Sequence, residues 1–498
     1  MKKNLRILAA LLALCAILPS CGSETASDDT TVPDVTDTTS EETTSQFVKD
    51  ELPELDFENE TMNVVVGDYN SAYWDDLYVE ESTGNRLNDS IYNMRVAVEQ
   101  RLNVKLNYIR EEYNWNGMSD YVAKITSQIL AGDDSTDLLF SQNNFAARLS
   151  EGKYFADLSN NEYVNLEKPW YNQSVLENMP AGEISFVLGE FSLGNIKNAY
   201  VVYFNNDLKE TLGIDTDLYQ LVDEGKWTID AMSTLIKDTY SDLNGNAEID
   251  TGDQFGLTFG DFNKYMGFIK ALGMDIYKKQ SDGRYKLEAG NERGVNVVEL
   301  IQKLNQSENT LMGKVNNYND PTYQVASGGA NDVSKPFIDG RALLSCSLIA
   351  DATFMIPELS FNYGLLPYPK YDEAQENYNS SLQRVMNALI PITARDHDKS
   401  GALLEAISSE TYRSVVPEYC EVTLKVRYSP DDNVSRMFDI VKDNIVYDPG
   451  EIFSDLLGYP TATIRDKGMM TDQSWATTFA SMSATWNEKL SQICEVVK

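Results

Sequence analysis

An acidic loop near the middle of the chain carries the ligand pattern of a calcium site. Residues 242–253 read DLNGNAEIDTGD and place oxygen-bearing side chains at the first, third, fifth, ninth and twelfth positions. EF-hand loops bind calcium through these positions and through the backbone carbonyl of the seventh. The pattern predicts a structural calcium site with the ligands Asp242, Asn244, Asn246, Glu248, Asp250 and Asp253.

Two residues of this loop depart from the calcium pattern. The sixth position holds Ala247, where the sharp turn favours glycine. The twelfth holds Asp253, which is shorter than the usual bidentate glutamate. An Asn-Gly surface turn in an acidic protein is the alternative interpretation.

A second set of residues has the chemistry of a sugar site. Aromatic rings pack on the apolar C–H faces of a sugar, while amides and carboxylates bind its hydroxyl groups. Both kinds of side chain follow two predicted strands. The candidates are Asp68, Tyr69, Asn70, Tyr73 and Trp74 after the first strand, and Gln142, Asn143 and Asn144 after the other.

Hydrophobic spacing predicts the elements that hold these loops. Residues 62–66 are a β-branched run typical of a buried strand, and apolar residues spaced by three or four over 87–102 predict a helix. Alternation over 104–108 and the run 137–140 predict two further strands. The strand–helix–strand order predicts an α/β fold with a parallel sheet. Ligands of such sheets bind beyond the carboxyl ends of the strands, where both candidate loops lie.

The later part of the chain offers further candidates. A strand predicted at 342–345 is followed by polar side chains, and Tyr265 precedes it. Trp115 and the pair Trp170-Tyr171 are additional aromatic candidates, whereas Trp227 is predicted to be core. The candidates from this part are Tyr265, Ser345, Ser347 and Asp351.

Five segments, in order, resemble the carbohydrate-type bacterial extracellular solute-binding proteins. TGNRLNDSIYNMRVAVEQRLNVKLNYI resembles the first helix and second strand of that family, and GKYFADLS the stretch after its third strand. NAYVVYFNNDLKETLGI resembles the crossover into its second lobe. EGKWTIDAMSTLIKDTYSDLNGN and FNYGLLPYPKYDEAQENY resemble two later elements of that lobe.

This resemblance implies a two-lobed, periplasmic-binding-protein-like (type II) α/β fold with a ligand cleft between discontinuous lobes. By analogy, lobe 1 comprises residues 60–198 and 374–410, and lobe 2 residues 199–373 and 411–498. Asn198, at the resembled crossover, is then expected to face the cleft. The family closes on a solute by hinge bending and delivers it to an ABC permease, so we expect no catalysis, an oligosaccharide as the partner, and a monomer.

The N-terminus predicts export and a lipid anchor. Residues 1–20 combine basic residues, a short apolar run and a small residue before Cys21, which is the layout of a bacterial lipoprotein signal peptide. Cys21 is the expected lipidation site. Residues 21–59 are rich in Ser, Thr, Asp and Glu and predict a disordered tether. These features place the protein on the extracellular face of the membrane, and the resemblance favours a Gram-positive cell.

Charge and cysteine content narrow the classes of partner. The formal charge of −36 argues against nucleic acid and anionic membrane surfaces. Cys346, Cys420 and Cys494 have no metal-site spacing, and the single histidine, His397, lies in a polar run. Two alternatives remain open, a secreted glycoside hydrolase with two carboxylates and a surface lipoprotein that holds glycan without feeding an importer.

Overall fold

The computed structural model describes residues 48–70, 72, 74–180, 182–311, 334–420 and 432–496. The strands of this part are β1 (Glu60–Tyr69), β2 (Val104–Tyr113), β3 (Leu138–Gln142), β4 (Val187–Leu188), β5 (Tyr200–Asn205), β6 (Phe255–Phe259), β7 (Tyr277–Lys279), β8 (Tyr285–Leu287), β9 (Ala342–Leu348), β10 (Tyr363–Pro367) and β11 (Met386–Leu389).

Helices cover the faces of the sheets. In chain order they are α1 (Arg86–Leu102), α2 (Met118–Leu130), α3 (Asn143–Ser150), α4 (Gln173–Asn178), α5 (Gly194–Lys197), α6 (Asn206–Thr211), α7 (Leu218–Asp223), α8 (Ile229–Leu235), α9 (Gly267–Ala271), α10 (Glu292–Gln306), α11 (Lys335–Ile338), α12 (Ala352–Met355), α13 (His397–Glu410), α14 (Val416–Glu418), α15 (Asp432–Asp443), α16 (Pro449–Ile452), α17 (Ser454–Leu457), α18 (Pro460–Ile464) and α19 (Trp475–Val496). Within the described residues no helix combines the length and the apolar character needed to span a membrane.

The first lobe is built on a five-stranded sheet of order β2-β1-β3-β11-β4. β1 pairs in parallel with β2 and β3, while β11 runs antiparallel to β3 and β4. The apolar face of α1, predicted from its spacing, is buried against this sheet. Asn85 caps the start of α1 through its side chain, and Asn103 ends it in a left-handed conformation. The βαβ unit predicted from the sequence is confirmed.

The second lobe is built on a four-stranded sheet of order β10-β5-β9-β6. β5 lies antiparallel to β10 and β9, and β6 pairs in parallel with β9. Every residue of β5 and β9 is buried, which explains their continuous apolar runs. Trp227, predicted as core, is buried and donates its indole N–H to the Pro367 carbonyl at 2.9 Å.

The chain returns to the first lobe after building the second, because β11 joins the first sheet. The two-lobed α/β fold is therefore present, and the strands of each sheet fall within the segments assigned to that lobe. The exact lobe boundaries stay a prediction.

The folded part begins earlier in the chain than the sequence predicts. The tether was predicted to extend to residue 59, but Asp50 and Phe57 are buried. Asp50 accepts two hydrogen bonds from Arg101, at 2.5 and 2.7 Å, and one from the Ser409 hydroxyl at 2.7 Å. The acidic composition of this stretch concealed a carboxylate that has a specific cationic partner.

The segment that follows α13, residues 411–418, contacts the first lobe, although the resemblance assigns it to lobe 2. Tyr412 packs its ring 5.9 Å from that of Trp170. Glu418, in α14, forms an ion pair with Arg86 of α1 at 2.7 Å. This segment is continuous with α13, so helical continuity keeps it on the first lobe.

Candidate functional site

A polar cavity of about 760 Å³ is lined by side chains from both lobes and from the C-terminal segment. Its volume lies within the usual range of small-molecule sites, roughly 300–1,000 Å³. Its polar and aromatic lining includes Tyr69, Trp115, Gln142, Asn143, Asn263, Gln383, Arg384, Glu451, Tyr459, Arg465 and Asp466.

The first lobe supplies its part of the wall from strand ends. β1 ends at Tyr69 and β3 at Gln142, and their parallel pairing brings both carboxyl ends to one edge of the sheet. Asn143 begins α3 directly after β3 and donates its amide to the Glu451 carbonyl at 3.1 Å. Tyr69, Gln142 and Asn143 therefore lie where the sequence placed them. Their contact with a ligand stays a prediction.

Three other candidates of the first loop lie outside this wall. Asp68 is fully buried and forms an ion pair with Arg110 at 2.6 Å, which satisfies the carboxylate inside the protein. Asn70 is exposed with φ +53°, so it forms the turn after β1. Trp74 lies with its ring beside Tyr78 and the Arg110 guanidinium. None of the three lines this cavity, and their contact with a ligand stays a prediction.

Two candidates cannot be placed. Tyr73 lies outside the described residues, and so does the side chain of Asn144. Asn198 is described and lies beside the cavity without lining it. Its amide donates to the Arg384 carbonyl at 3.3 Å, and its carbonyl accepts from the Gln383 N–H at 3.1 Å. Asn198 therefore fixes the backbone of two lining residues.

The second-lobe candidates are structural. Tyr265 is fully buried, stacks on Phe259 with centroids 4.2 Å apart and donates its hydroxyl to Asn305. Ser345 and Ser347 are buried on β9 with their hydroxyl oxygens 3.1 Å apart. These three residues do not line the cavity, and their place in a ligand site stays a prediction.

Asp351 belongs to a buried charge cluster behind the cavity wall. Its carboxylate accepts from the Leu348 N–H at 2.8 Å and lies 3.4 Å from the Lys264 ammonium. Lys264 also donates to Asp261 at 3.1 Å and to the Gln383 side chain at 3.1 Å. Gln383 precedes β11 of the first lobe, so the predicted ligand residue Asp351 instead takes part in a contact between the lobes.

The additional aromatic candidates differ in their positions. Trp115 follows β2, is 54% exposed and lines the cavity, with its ring centroid 5.4 Å from that of Tyr459. Trp170 and Tyr171 are buried and border another cavity, of about 460 Å³. Trp115 and Tyr459 thus give the first cavity an aromatic wall built from two distant parts of the chain.

The C-terminal segment contributes residues that sequence reasoning missed. Tyr459 has φ +58° at the start of α18, between Gly458 and Pro460. A tyrosine in the left-handed region costs about 1–2 kcal/mol and often marks a functional position. The Gly-Tyr-Pro sequence was the available signal. Nothing in the local pattern connects it to strand ends more than 300 residues away.

Glu451 brings an unusual carboxyl group to the cavity. It is 9% exposed, and burial followed by repulsion from Asp448 raises its pKa to about 8. At neutral pH the side chain is therefore mostly an uncharged acid, a form that can donate a hydrogen bond.

The acidic loop is closed by its own hydrogen bonds. Asp242 accepts from the N–H groups of Gly245 and Ala247, at 2.6 and 3.0 Å, and Ala247 has φ +58° as the turn requires. Asp250 accepts from the amides of Asn244 and Asn246, at 3.0 and 2.7 Å. In the part of the chain that the structure describes, no three His, Cys, Asp or Glu side chains are grouped as metal ligands would be.

The sequence matches a known family. The model of the bacterial extracellular solute-binding protein family matches residues 96–412, which is more than half of the chain. No curated protein matches as a sequence relative.

Solved structures share the fold at low sequence identity. An ABC substrate-binding protein, Lmo0181 of Listeria monocytogenes, solved with cycloalternan, is 12% identical with a TM-score of 0.54, covering 87% of this chain and all of its own. The GacH receptor of Streptomyces glaucescens, solved unliganded and with acarbose, is 13% identical with a TM-score of 0.53, covering 87% and 99%. UspC of M. tuberculosis is 14% identical with a TM-score of 0.54, covering 86% and 100%.

Proposed function

We propose that this chain, which belongs to the bacterial extracellular solute-binding protein family, captures an oligosaccharide between its lobes and delivers it to an ABC import permease. The observation that carries the proposal is the composition of the cavity wall. The rings of Tyr69, Trp115 and Tyr459 provide apolar faces, and the amides of Gln142 and Asn143 provide donors and acceptors for hydroxyl groups.

The arrangement of the wall supports capture by lobe closure. Side chains from the first lobe and from residues near α18 line one cavity, so a bound sugar touches both sides at once. A ligand that contacts both lobes stabilises the conformation in which they are close. Two structural neighbours were solved with carbohydrate ligands, cycloalternan and acarbose, which agrees with a sugar as the solute.

The proposal includes no catalysis. The family consists of solute-binding proteins. We assign to the buried acid Glu451 the role of a neutral hydrogen-bond donor to the ligand, which its raised pKa supports. Hydrolysis needs a second carboxyl group across the scissile bond. The other acid on this wall, Asp466, is bonded to Arg465 at 2.6 and 2.9 Å.

We also propose that the mature protein is a monomer anchored through a lipid on Cys21, on the extracellular face of a Gram-positive membrane. The support is the signal layout before Cys21 and the polar stretch that follows it. A long polar tether would let the lobes reach a permease while the lipid stays in the bilayer.

The first prediction concerns sugar binding. One class of oligosaccharide should raise the unfolding temperature of the chain from residue 22 onward. At a hundredfold excess of sugar over Kd, the free energy of unfolding should increase by about 2.7 kcal/mol. Replacing Trp115 with alanine should remove most of this shift, because the ring loses its contact with the sugar face. Chromatography of the same samples should show the sugar unchanged.

The control is the variant Leu130→Ala, which alters another exposed apolar side chain away from the cavity. It should keep the full ligand shift. Absence of a shift with every sugar tested would refute the carbohydrate assignment, and a shorter sugar in the chromatogram would favour the hydrolase.

A second prediction concerns the acidic loop, for which we propose calcium binding. The support is its set of carboxylate and amide oxygens and the turn at Ala247. Because Asp242 and Asp250 accept hydrogen bonds within the loop, calcium would replace some of these bonds. Calcium should raise the unfolding temperature relative to chelator in the parent chain and in Asp282→Asn, but not in Asp250→Asn. Equal unfolding in calcium and chelator would identify the loop as a surface turn.

A further inference from the structure

Arg384 places a half-buried guanidinium on the cavity wall. It follows Gln383 just before β11, and its guanidinium carbon lies 5.6 Å from the ring centroid of Tyr69. Both residues belong to the first lobe. A guanidinium beside an aromatic ring at a strand end provides two different contacts for one sugar unit. The guanidinium supplies charged N–H donors, and the ring supplies an apolar face.

This arginine differs from the other arginines of the described chain in its partners. Nearly all of them have a carboxylate oxygen within 4.0 Å, as Arg110 has in Asp68, Arg395 in Asp137 and Arg465 in Asp466. Within the described residues, Arg384 and Arg293 have no such ion pair. Arg293 stacks on Tyr371 at 3.7 Å and donates to the Leu272 carbonyl. Of these two arginines, Arg384 lines the cavity described above and Arg293 does not.

The acids near Arg384 are already engaged. Asp466 binds Arg465, and Asp261 binds Lys264. Burial raises the pKa of Asp261, but the charge and hydrogen bond of Lys264 and, more weakly, the charge of Arg384 beyond the ion-pair distance lower it, and the net pKa is below the usual value. Glu451 is mostly uncharged at neutral pH and adds no opposing charge. Among the described residues that line this cavity, Arg384 is thus the basic residue without a bonded carboxylate.

A guanidinium has five N–H donors and holds its charge at all ordinary pH values. In a chain with 77 acidic and 41 basic residues, a partly buried arginine without an acid is unexpected unless a ligand supplies the anion. The planar fork matches a carboxylate with two parallel hydrogen bonds. A uronic acid presents such a carboxylate beside an apolar ring face, which is the combination that Arg384 and Tyr69 would bind.

We propose that the solute is an acidic oligosaccharide and that Arg384 binds the carboxylate of one of its uronic acid units. This inference rests on the proposed function and names the substrate class of the same cavity. Arg465, whose fork is held by Asp466 and by the Asn263 side chain at 2.6 Å, is assigned no anion.

The test measures binding by calorimetry to matched pairs of disaccharides, each pair having one linkage and differing only in a glucuronic acid or a glucose unit. At low salt the acidic member should bind at least about tenfold more tightly, as expected for a charged hydrogen-bonded pair. Added salt should reduce this preference. Arg384→Gln should remove most of the preference, and Arg384→Lys should restore part of it.

Arg293→Gln is the matched control, because it removes the other arginine without an ion pair and lies outside the cavity wall. It should leave the preference unchanged. If Arg384→Gln fails to fold, the salt dependence of the parent chain and the Arg384→Lys variant still decide the question.

The outcomes separate the two proposals. Equal or tighter binding of the neutral members, unaffected by Arg384→Gln, overturns the acidic substrate and leaves an oligosaccharide receptor. Binding of neither member of any pair overturns both. A preference for sulfated over carboxylated disaccharides overturns the uronic acid and assigns another anion to Arg384.

Discussion

Replacing Lys264 with methionine should destabilise the protein by roughly 3–5 kcal/mol, the usual cost of leaving buried charges without their partner. Lys264 is 2% exposed, and its ammonium lies 3.1 Å from Asp261 and 3.4 Å from Asp351. Without it, two partly buried carboxyl groups repel each other and Gln383 of the first lobe loses its donor. Urea unfolding monitored by fluorescence would measure the loss.

A second substitution, Asp351→Asn, tests whether the loss of stability in Lys264→Met comes from the uncompensated carboxylates. In the Lys264→Met background it should recover part of the lost stability, because it removes one of the two uncompensated charges. Lys226→Met is the control for loss of a lysine. Because the ion pair of Lys226 with Glu224 is exposed, this substitution should leave the unfolding midpoint nearly unchanged. A Lys264→Met variant as stable as the parent would show that the cluster contributes little to holding the lobes.

Local sequence pattern predicted the first lobe well. The β-branched run at 62–66 lies inside β1, and the helix predicted over 87–102 is α1 almost to the residue. Both are set by periodicity over short distances, which one sequence displays directly. The parallel order followed from that pattern, and with it the position of Tyr69 and Gln142 at one sheet edge.

The local sequence pattern predicts neither which face of a sheet a side chain occupies nor which residue it contacts. Asp68 and Tyr69 are neighbours at the end of β1, yet one is buried against Arg110 and the other lines the cavity. Successive side chains of a strand point to opposite faces, so a loop near a site contributes only part of its residues. The sequence does not show which acid pairs with which basic residue, so it predicts Asp68 and Asp351 as ligand residues although they pair with Arg110 and Lys264.

The C-terminal half of the site depended on tertiary structure alone. Glu451 and Tyr459 lie among short helices with weak periodicity, and they meet Trp115 and Asn143 only in the folded chain. The sequence pattern does not single out Arg384 either. What distinguishes this arginine is that no described carboxylate lies within ion-pair distance of it, which only the folded structure shows. Such features appear only when all the charges near a cavity can be compared.

The stability of this protein should fall as pH rises from 5 to 8, and Glu451→Gln should remove part of that fall. Burial, followed by repulsion from Asp448, raises the pKa of Glu451 from 4.5 to about 8 in the folded state. The folded state then binds more protons than the unfolded state between these values, so stability decreases with pH across this window. At about 1.4 kcal/mol per pKa unit, the effect of this group is at most roughly 5 kcal/mol.

Urea unfolding of parent and variant at pH 5, 6, 7 and 8 measures the difference in slope. Glutamine keeps the size of the side chain and stays neutral, so the variant should gain on the parent as pH rises. Glu190 and Glu405, both with a pKa raised chiefly by burial to about 7, leave a residual slope in the variant. The exposed change Glu488→Gln should reproduce the parent slope. Identical slopes for parent and Glu451→Gln would mean that Glu451 is ionised in the folded protein. A charged Glu451 would then share the cavity with any anionic solute, and it would weaken the binding assigned to Arg384.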